Sequence, residues 1–504
     1  MTSSSSRRPS GPARANKPAS RPGSRPASRP VSRPAAAQPA LHLAPDSLAF
    51  ALDEAARAVG AVRAGAALPA ALSSAFAALP SEFAQTARGA VQDIAYRTMR
   101  RLGIVDYLIK QRVSKAPPPP VLNLLACALA LLVDDEAHAA YTPFTVVDQA
   151  VRSIGARREV AFAKGLVNAV LRGFLRERES ALADAQNNEV ARWNYPQWWI
   201  DAVRRAWPDR WQAILETGNT HGPLTLRVNA SRTNAADYLQ RLAAENIAAT
   251  QIGEYAVRLA APLPVERIPG FMAGDVSVQD AGAQLAAPAL DVRDGMRVLD
   301  ACAAPGGKSG HLLELADIDL IALESDAARA KRIGENLARL GFAQSDEEHD
   351  EGVEGRSARV VIGDAGVPDT WFEGEPFDRI LADVPCSASG IVRRHPDIRW
   401  LRRASDIGAL AQEQRRIVDA LWGLLKPGGE LLYVTCSIFP EEGEDQVRWF
   451  ESTHADAVRL DAPGQLLPAG RDAEADTSAE THACPVPDRT ADHDGFFYAR
   501  FQKR

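Results

Sequence analysis

The sequence of 504 residues has few cysteines, and they lie far apart. There are five, at positions 127, 302, 386, 436 and 484, which is an odd number. No two of them have the C-x2-C spacing typical of a structural zinc site. Scattered cysteines in a long chain without an export signal also argue against a disulfide framework. We therefore expect neither a metal ion nor disulfides to stabilise the fold.

Long apolar segments are also missing. The best candidate, LNLLACALALLV at 122–133, is shorter than the roughly 18 residues that a membrane-spanning helix needs. It predicts a core helix instead. The N-terminus lacks the apolar segment of a secretory signal peptide. We expect a cytoplasmic protein without a membrane partner.

Charge is unevenly distributed along the chain. The formal net charge of −6 does not by itself predict a nucleic-acid binder. Residues 1–45, however, form a low-complexity Arg/Pro/Ser-rich segment with eight basic residues and no acidic one. Such a composition cannot bury enough apolar area to fold, so it predicts disorder. This arm is either a solubilising tail or a basic segment that attracts phosphates without reading sequence.

Residues 46–185 show helical periodicity and few strand patterns. Phe162, Leu166, Val170 and Phe174 recur every four residues, with Val167 and Leu171 beside them, and predict one apolar stripe on a helix. The opposite face is basic, with Lys164, Arg172, Arg176 and Arg178. We expect an all-α domain here.

The remaining chain divides into two parts. Residues 186–282 mix a Trp-rich helical segment with a strand, LTLRVNA, and predict a small α+β connector subdomain. In residues 283–504, short apolar runs alternate with amphipathic helices, which is typical of a doubly wound α/β domain with a largely parallel sheet. Two polar insertions, 345–355 and 471–493, are predicted to be surface loops.

The segment VLDACAAPGGK, residues 298–308, follows a predicted strand and opens a helix. Ligands of open α/β sheets bind at the carboxyl ends of their strands. Gly306 and Gly307 are expected to let the backbone approach a ligand closely. The segment matches neither the phosphate-binding loop nor G-x-G-x-x-G, which disfavours a nucleoside triphosphate.

Acidic residues end the next two predicted strands. Glu324 is placed to accept hydrogen bonds from ribose hydroxyls, and Asp364 to accept one from an amino group such as that of adenine. A glycine loop followed by these two acids fits a nucleoside without phosphates, such as S-adenosylmethionine. The alternative is that both acids only cap the helices that follow.

Two cysteines also follow predicted strands. Cys386 stands in ADVPCSASG and Cys436 in LLYVTCSIFPEEGED, so both thiols are expected at the sheet edge where the cofactor would bind. A single cysteine in an apolar run is ordinarily a small buried hydrophobe. Two at one ligand-binding edge favour a reactive pair. A thiol–disulfide switch is a further reading, although the usual adjacent spacing is absent.

Four segments together resemble the RNA (cytosine-5)-methyltransferases of the Nol1/Nop2/Sun family. They are DACAAPGGK, DVPCSASGIVRRHPDIRW, LLYVTCSIFPEEGED and VSVQDAGAQL. The resemblance extends from about residue 46 to the end. It implies a NusB-like RNA-binding domain at 46–185, a connector at 186–282 and a Rossmann-like, class I S-adenosylmethionine-dependent methyltransferase domain at 283–504. The bacterial branch that it matches best implies small-subunit (16S) ribosomal RNA as the partner.

The resemblance also implies roles for individual residues. Cys436 would attack C6 of the cytosine, Cys386 would assist its release, and Asp383 would contact both cofactor and base. Glu324 stands where the nearest relatives have Asp, with the charge retained. The cofactor would be held by Cys302, Ala303, Ala304, Pro305, Gly306, Gly307, Lys308, Glu324, Asp364 and Asp383. Candidate RNA contacts are Arg227, Asn229, Arg393 and Arg394, and a scaffold role is equally open for Arg227 and Asn229.

Two other functions stay open at this point. One keeps the chemistry but changes the substrate to transfer RNA, although the NusB-like region favours ribosomal RNA. The other is a ribosome-assembly factor that binds RNA without catalysis, against which the intact Cys386, Cys436 and Asp383 argue. We expect a monomer, with the acidic loop at 345–355 pointing away from the RNA because like charges repel.

Overall fold

The computed structural model describes most of the chain in four stretches: residues 43–134, 139–344, 356–469 and 492–504. Most of the basic arm at 1–45, the acidic loop at 345–355 and nearly all of the insertion at 471–493 lie outside the described residues. The predictions made for these segments therefore stay predictions.

The first part of the described chain is helical. Its helices are α1 (Leu48–Arg63), α2 (Leu68–Ala77), α3 (Ser81–Arg100), α4 (Leu102–Arg112), α5 (Pro119–Leu132), α6 (Pro143–Ala156), α7 (Lys164–Arg176), α8 (Arg178–Ala185), α9 (Glu189–Trp193), α10 (Gln197–Ala206) and α11 (Trp211–Asn219). Helix α5 is the predicted core helix; its proline-rich start supplies Pro119 at a first-turn position that needs no amide donor. Its residues are buried almost throughout. No helix in the described part of the chain is long and apolar enough to cross a membrane.

The predicted apolar stripe around α7 is partly wrong. Val170 and Phe174 are buried, but Phe162 precedes the helix and is 76% exposed, and Leu166 is 37% exposed. A strict four-residue repeat drifts by about 40° per step around a helix of 3.6 residues per turn. The stripe that faces the core is therefore made of Val167, Val170, Leu171 and Phe174.

A small antiparallel sheet follows the helical region. Its strands are β1 (Thr225–Val228), β2 (Ala249–Gln251), β3 (Ala256–Leu259) and β4 (Val276–Val278), and helix α12 (Ala235–Ala244) lies between β1 and β2 in the chain. The strand order is β2-β3-β1-β4, and the predicted LTLRVNA strand is β1. Tyr238 and Leu242 of α12 pack against Leu226 and Val257 of the sheet, so this part has a core of its own.

The rest of the chain builds one sheet of eight strands. Its elements are α13 (Ala286–Leu290), β5 (Arg297–Ala301), α14 (Gly307–Leu315), β6 (Asp319–Glu324), α15 (Ala327–Leu340), β7 (Ala343–Gln344), β8 (Ser357–Ile362), β9 (Phe377–Asp383), α16 (Ile398–Leu401), α17 (Ala404–Trp422), β10 (Leu425–Thr435), α18 (Glu444–Thr453), β11 (Ala457–Leu466) and β12 (Phe496–Lys503). The order is β11-β12-β10-β9-β5-β6-β8-β7. All pairings among β5 to β10 are parallel, namely β10–β9, β9–β5, β5–β6, β6–β8 and β8–β7, whereas β12 pairs antiparallel with β10 and β11.

This sheet confirms the predicted Rossmann-like fold. Apolar side chains of α13, α14 and α15 cover one face, and those of α17 and α18 cover the other. Helix α15 begins after Asp326, whose side chain accepts a hydrogen bond from the Arg329 amide, and ends at Gly341 with φ of 88°. The sequence KPGG at 426–429 predicts a helix stop and a turn before a strand. Helix α17 instead ends at Trp422, and KPGG is an irregularity within β10, where the register with β9 shifts and Gly428 has φ of 78°.

The helical region is fastened to the segment that follows β9. The Leu68 amide donates to the buried Asp397 carboxylate at 2.8 Å, and the Trp400 indole donates to the Met99 carbonyl at 2.8 Å. The Arg100 guanidinium donates to the Arg393 carbonyl at 2.9 Å. These contacts fix helices α2 and α3 beside the loop that carries Cys386.

Candidate functional site

The strand order reverses between β5 and β9, which is the place where open α/β sheets bind their ligands. Parallel neighbours β5, β9 and β10 end here side by side. Cys302 follows β5, Asp383 ends β9, and Cys436 follows β10. The fold therefore gathers residues from three strand ends at one crevice.

The two thiols predicted at this edge are in contact. Cys386 Sγ lies 3.3 Å from Cys436 Sγ, and both cysteines are free and partly exposed. The hydrogen bond to Cys436, together with burial, raises the pKa of Cys386 well above its usual range. Cys386 therefore keeps its proton at neutral pH, and the pair carries at most one negative charge.

An ion pair lies beside the thiols. Lys308 Nζ is 2.6 Å from Asp383 Oδ2, and the lysine is largely buried. Burial opposes the charged ammonium, but attraction to Asp383 and the hydrogen bond outweigh it, so the pKa of Lys308 is raised. Cys436 adds to this attraction. A fixed positive charge therefore stands near the thiol pair.

A buried carboxylate that sequence reasoning missed lies beneath the loop at 302–306. Asp300 is fully buried in β5, and its Oδ2 accepts a 2.5 Å hydrogen bond from Ser309 Oγ at the start of α14. Its Oδ1 has no partner among the described residues. Burial raises the pKa of Asp300 to about 7. The sequence does contain a signal for this residue, because an acidic residue stands inside the apolar strand segment VLDA.

The loop at 302–306 requires unusual backbone conformations. Cys302 has φ of 63° and Gly306 has φ of 91°, in the region that favours glycine. A Cβ on Gly306 would lie 3.1 Å from Ile333 Cα, so the close approach is to α15. Packing against α15 thus accounts for glycine at 306, and its contact with a ligand stays a prediction. At Gly307 a Cβ would meet only a side-chain nitrogen of Gln279, at 3.9 Å.

The loop cysteine is held as a thiol. Burial, together with the surrounding carboxylates Asp383, Glu324 and Asp300, raises the pKa of Cys302 to about 12. Negative charge thus accumulates on one side of the crevice. This side suits a ligand that carries positive charge or many hydrogen-bond donors.

Glu324 has an unused acceptor. The residue is 2% exposed, and its Oε1 accepts from the Asp326 amide at 3.1 Å and from Arg329 at 3.4 Å. Its Oε2 is buried and has no partner among the described residues. Because buried polar atoms are almost always hydrogen-bonded, this oxygen fits a ligand hydroxyl.

Asp364 has a partner that the sequence did not suggest. Its carboxylate accepts from the Gly366 amide at 2.8 Å and from Arg416 of α17 at 2.9 and 3.0 Å. Partial burial by itself would raise the pKa of Asp364. The hydrogen bonds from Arg416 and Gly366 outweigh burial, so this pKa is lowered. Ile362 and Val367, on either side, are 59% and 42% exposed. Exposed apolar side chains beside a carboxylate suit a planar heterocycle.

Three of the four predicted RNA contacts are buried, which argues against that role. Arg227 is fully buried, pairs with Glu314 at 2.5 and 2.9 Å, and donates to the Gly307 carbonyl at 2.6 Å. Asn229 is also fully buried and donates to the Gly274 carbonyl at 2.9 Å. Both residues hold the connector sheet together or against α14.

Arg393 and Arg394 share a cluster of carboxylates. Arg393 is 1% exposed and forms ion pairs with Asp494 and Asp492. Arg394, whose side chain is 25% exposed, forms ion pairs with Asp494 and Asp280. The charge of Arg393 is therefore neutralised by buried ion pairs, while Arg394 stays a candidate RNA contact. No group of three or more metal-ligating side chains occurs in the described residues.

Comparison with known proteins identifies related sequences. The family model for the 16S rRNA methyltransferase RsmB/F matches residues 287–502, and a model for the ferredoxin-like domain of RsmF/B-like methyltransferases matches residues 195–266. The ribosomal RNA small subunit methyltransferase B of Cronobacter sakazakii is 38% identical over 420 residues, 82% of this chain and 90% of that protein. The protein of the same name from Vibrio vulnificus is 44% identical over 317 residues, 61% and 71% of the two chains.

Solved structures share the fold. A methyltransferase homolog protein from Pyrococcus horikoshii has a TM-score of 0.50 and 25% identity, covering 64% of this chain and 99% of that one. The structure of PH0851 has a TM-score of 0.68 and 24% identity, covering 92% and 99% of the two chains. With a Rossmann-like sheet and relatives matched over most of their length, the chain belongs to the RsmB/F family of 16S rRNA methyltransferases.

Proposed function

We propose that this protein uses S-adenosylmethionine to methylate C5 of one cytosine in 16S ribosomal RNA, through a covalent bond between Cys436 and C6 of the base. The observation that carries this proposal is the contact between Cys386 and Cys436, 3.3 Å apart at the sheet crevice. A reaction that forms and then breaks a sulfur–carbon bond needs a nucleophile and a second group that assists its release.

The residue types suit this chemistry. Cytosine C5 is a poor nucleophile until a thiolate adds to C6 and makes C5 enamine-like. Lys308, ion-paired with Asp383, places a positive charge near the two thiols. When bound, S-adenosylmethionine supplies the electrophilic methyl group. A general base then takes the C5 proton, the electron pair left at C5 restores the C5–C6 double bond, and Cys436 leaves C6 as a thiolate. Cys386, which keeps its proton, assists by hydrogen-bonding the departing sulfur. Asp383 would hydrogen-bond the base as charge develops on it.

The crevice also suits the cofactor. The unpartnered Oε2 of Glu324 is an acceptor for ribose hydroxyls. Ile362 and Val367 offer apolar surfaces to adenine, beside the Asp364 carboxylate, which it would share with Arg416. The open space before Gly307 would take the methionine part. These assignments follow from donor and acceptor chemistry.

RNA contacts are proposed for the helical region at 46–185. An open groove of about 650 Å³ lies between α6 and α7, lined by apolar side chains that include Phe144, Val151 and Leu175. Arg172 and Arg176 also line it and form no ion pair with another described residue. Free guanidinium groups beside an exposed aromatic ring suit phosphates and unstacked bases. A cytoplasmic site of action follows from the ribosomal RNA substrate.

Single-turnover assays with radiolabelled S-adenosylmethionine and 16S RNA test the chemistry. Cys436→Ala should abolish both methyl transfer and any protein–RNA adduct that survives denaturing electrophoresis. Cys386→Ala should accumulate that adduct, because release is slowed. Cys127→Ala, a buried cysteine of α5, is the matched control and should behave as the unchanged protein.

Three results would contradict the proposal. They are C5-methylation retained by Cys436→Ala, a methyl group found elsewhere than on C5 by mass spectrometry of the RNA nucleosides, and no calorimetric binding of S-adenosylmethionine. The last would revive the assembly factor without catalysis. Bisulfite sequencing of RNA from cells with and without the gene locates the modified cytosine and decides between ribosomal and transfer RNA.

A further inference from the structure

A buried carboxylate lies directly behind the two thiols. Glu442, six residues after Cys436, is fully buried. Removing a carboxylate from water is unfavourable unless hydrogen bonds compensate for the lost hydration. Glu442 has no ion pair with a described basic residue, so neutral donors must provide the compensation.

The donors come from both cysteine-bearing loops. Glu442 Oε1 accepts from the Ser387 amide at 2.7 Å and from Gln414 Nε2 at 3.1 Å. Its Oε2 accepts from Ser387 Oγ at 2.5 Å and from Ser437 Oγ at 2.6 Å. Ser387 directly follows Cys386, and Ser437 directly follows Cys436. One carboxylate therefore ties together the residues next to the two sulfur atoms.

The backbone of Glu442 is also held in place by the sheet. The Glu442 carbonyl accepts from the hydroxyl of Tyr433 at 2.9 Å and from that of Thr435 at 3.2 Å, both in β10. Gln414 also bridges, since its side chain donates to the Pro385 carbonyl at 3.0 Å. The two loops belong to different strands, β9 and β10, and the shared acceptor fixes their separation.

We propose that Glu442 is a positioning residue that holds Cys386 and Cys436 in sulfur–sulfur contact. The proposal rests on the function proposed above only where it concerns catalysis. The pKa of Cys386 is raised mainly by the hydrogen bond to Cys436 and by burial. The charge of Glu442 raises it further and so helps to keep Cys386 protonated. Glu442 does not touch the reacting atoms.

Oxidative cross-linking measures the separation without depending on catalysis. Diamide takes two electrons and two protons from a pair of neighbouring thiols, which become a disulfide while diamide becomes its hydrazine. We expect rapid formation of the Cys386–Cys436 disulfide in the full chain, located by peptide mass mapping. Glu442→Gln removes two acceptor lone pairs and the charge, and should slow this step on the order of tenfold to a hundredfold. Glu441→Gln, the exposed neighbour, is the matched control and should leave the rate unchanged.

Methyl transfer is measured on the same variants. Glu442→Gln should lower the single-turnover rate about as much as the cross-linking rate, with the dissociation constants for S-adenosylmethionine and RNA unchanged. Slower cross-linking with normal methylation would uphold the positioning role and overturn the proposed thiol chemistry. Unchanged cross-linking in Glu442→Gln would overturn the positioning role.

A second variant covers failure of Glu442→Gln to fold. Ser437→Ala removes one donor, keeps the carboxylate and leaves three of its hydrogen bonds. It should slow both cross-linking and methyl transfer several-fold, and Ser437→Thr, which keeps the hydroxyl, should recover both. Cross-linking in Ser437→Ala at the unchanged rate would overturn the proposal.

Discussion

Single side chains in this crevice carry charges that the fold, more than the sequence, determines. Asp300 lies inside the apolar strand β5 and Asp364 follows β8. Burial raises the pKa of Asp300 to about 7, whereas hydrogen bonds from Arg416 and Gly366 lower that of Asp364. The difference comes from what packs around each group. Asp300 lies under the loop at 302–306, while Asp364 is near the surface.

Asp300 should make stability depend on pH. Its pKa in the folded protein lies above the ordinary 3.8, so the folded state binds the proton more tightly than the unfolded state. The stabilisation is fully present below pH 3.8 and is lost as the pH rises to about 7. Asp300→Asn removes this dependence. The free energy of unfolding of the unchanged protein should fall relative to the variant by up to about 4 kcal/mol between pH 4 and 8.

Urea titrations followed by tryptophan fluorescence measure this difference. Asp209→Asn, an exposed aspartate in the turn before α11, serves as the control and should run parallel to the unchanged protein. A difference between Asp300→Asn and the unchanged protein that does not vary with pH would contradict the prediction.

At the scale of elements, β1 of the connector sheet is fastened to the helix that starts after the loop at 302–306. Arg227 pairs with Glu314 near the end of α14 and donates to the carbonyl of Gly307 at its start. Both side chains are almost completely buried. One guanidinium therefore holds both ends of α14.

Arg227→Met should leave the Glu314 carboxylate buried without its partner. We expect a loss of about 3 to 5 kcal/mol in the free energy of unfolding, measured with urea. We also expect weaker binding of S-adenosylmethionine by calorimetry, because the start of α14 is less fixed. Arg241→Met breaks the more exposed pair with Asp275 and should cost no more than about 1 kcal/mol.

A double variant separates the loss of stability from the loss of cofactor binding. Arg227→Met with Glu314→Leu should regain much of the stability, because no buried charge is left unpaired. Cofactor affinity should stay low, since the Gly307 carbonyl still lacks its donor. Full recovery of cofactor binding in the double variant would contradict a positioning role for Arg227.

Local sequence predicted the elements well wherever one residue pattern decides them. The segment at 298–308, the strands that end at Glu324 and Asp383, and the strand that precedes Cys436 lie where the alternation of apolar runs and helices indicated. The errors at Phe162 and in the KPGG segment have a common cause. Helix starts and strand irregularities depend on tertiary packing that a periodic pattern does not contain.

At the scale of the whole molecule, the helical region carries exposed positive charge away from the catalytic sheet. Arg172 and Arg176 line the groove between α6 and α7, beside the exposed ring of Phe144. If this groove binds RNA, Arg172→Glu and Arg176→Glu should each weaken RNA binding several-fold, because each reversal loses one phosphate contact and adds repulsion.

Fluorescence anisotropy with labelled 16S RNA, over a range of salt concentrations, measures the effect. The slope of the logarithm of affinity against the logarithm of salt concentration should become less steep in each variant. The control is Arg293→Glu, which reverses an exposed charge just before β5 and outside the groove. Equal affinities and slopes in all three variants would contradict RNA binding at this groove.

The sequence by itself determined the order of strands and helices and placed Cys302, Asp383, Cys386 and Cys436 near strand ends, because these features follow from local patterns of apolar residues. Only the tertiary structure decided that two thiols fifty residues apart lie 3.3 Å from each other, and that Arg227 and Arg393 are buried. It also decided that Glu442 joins the two cysteine loops. Distances, burial and charge pairing depend on which elements pack together, and contacts between distant parts of the chain set that packing.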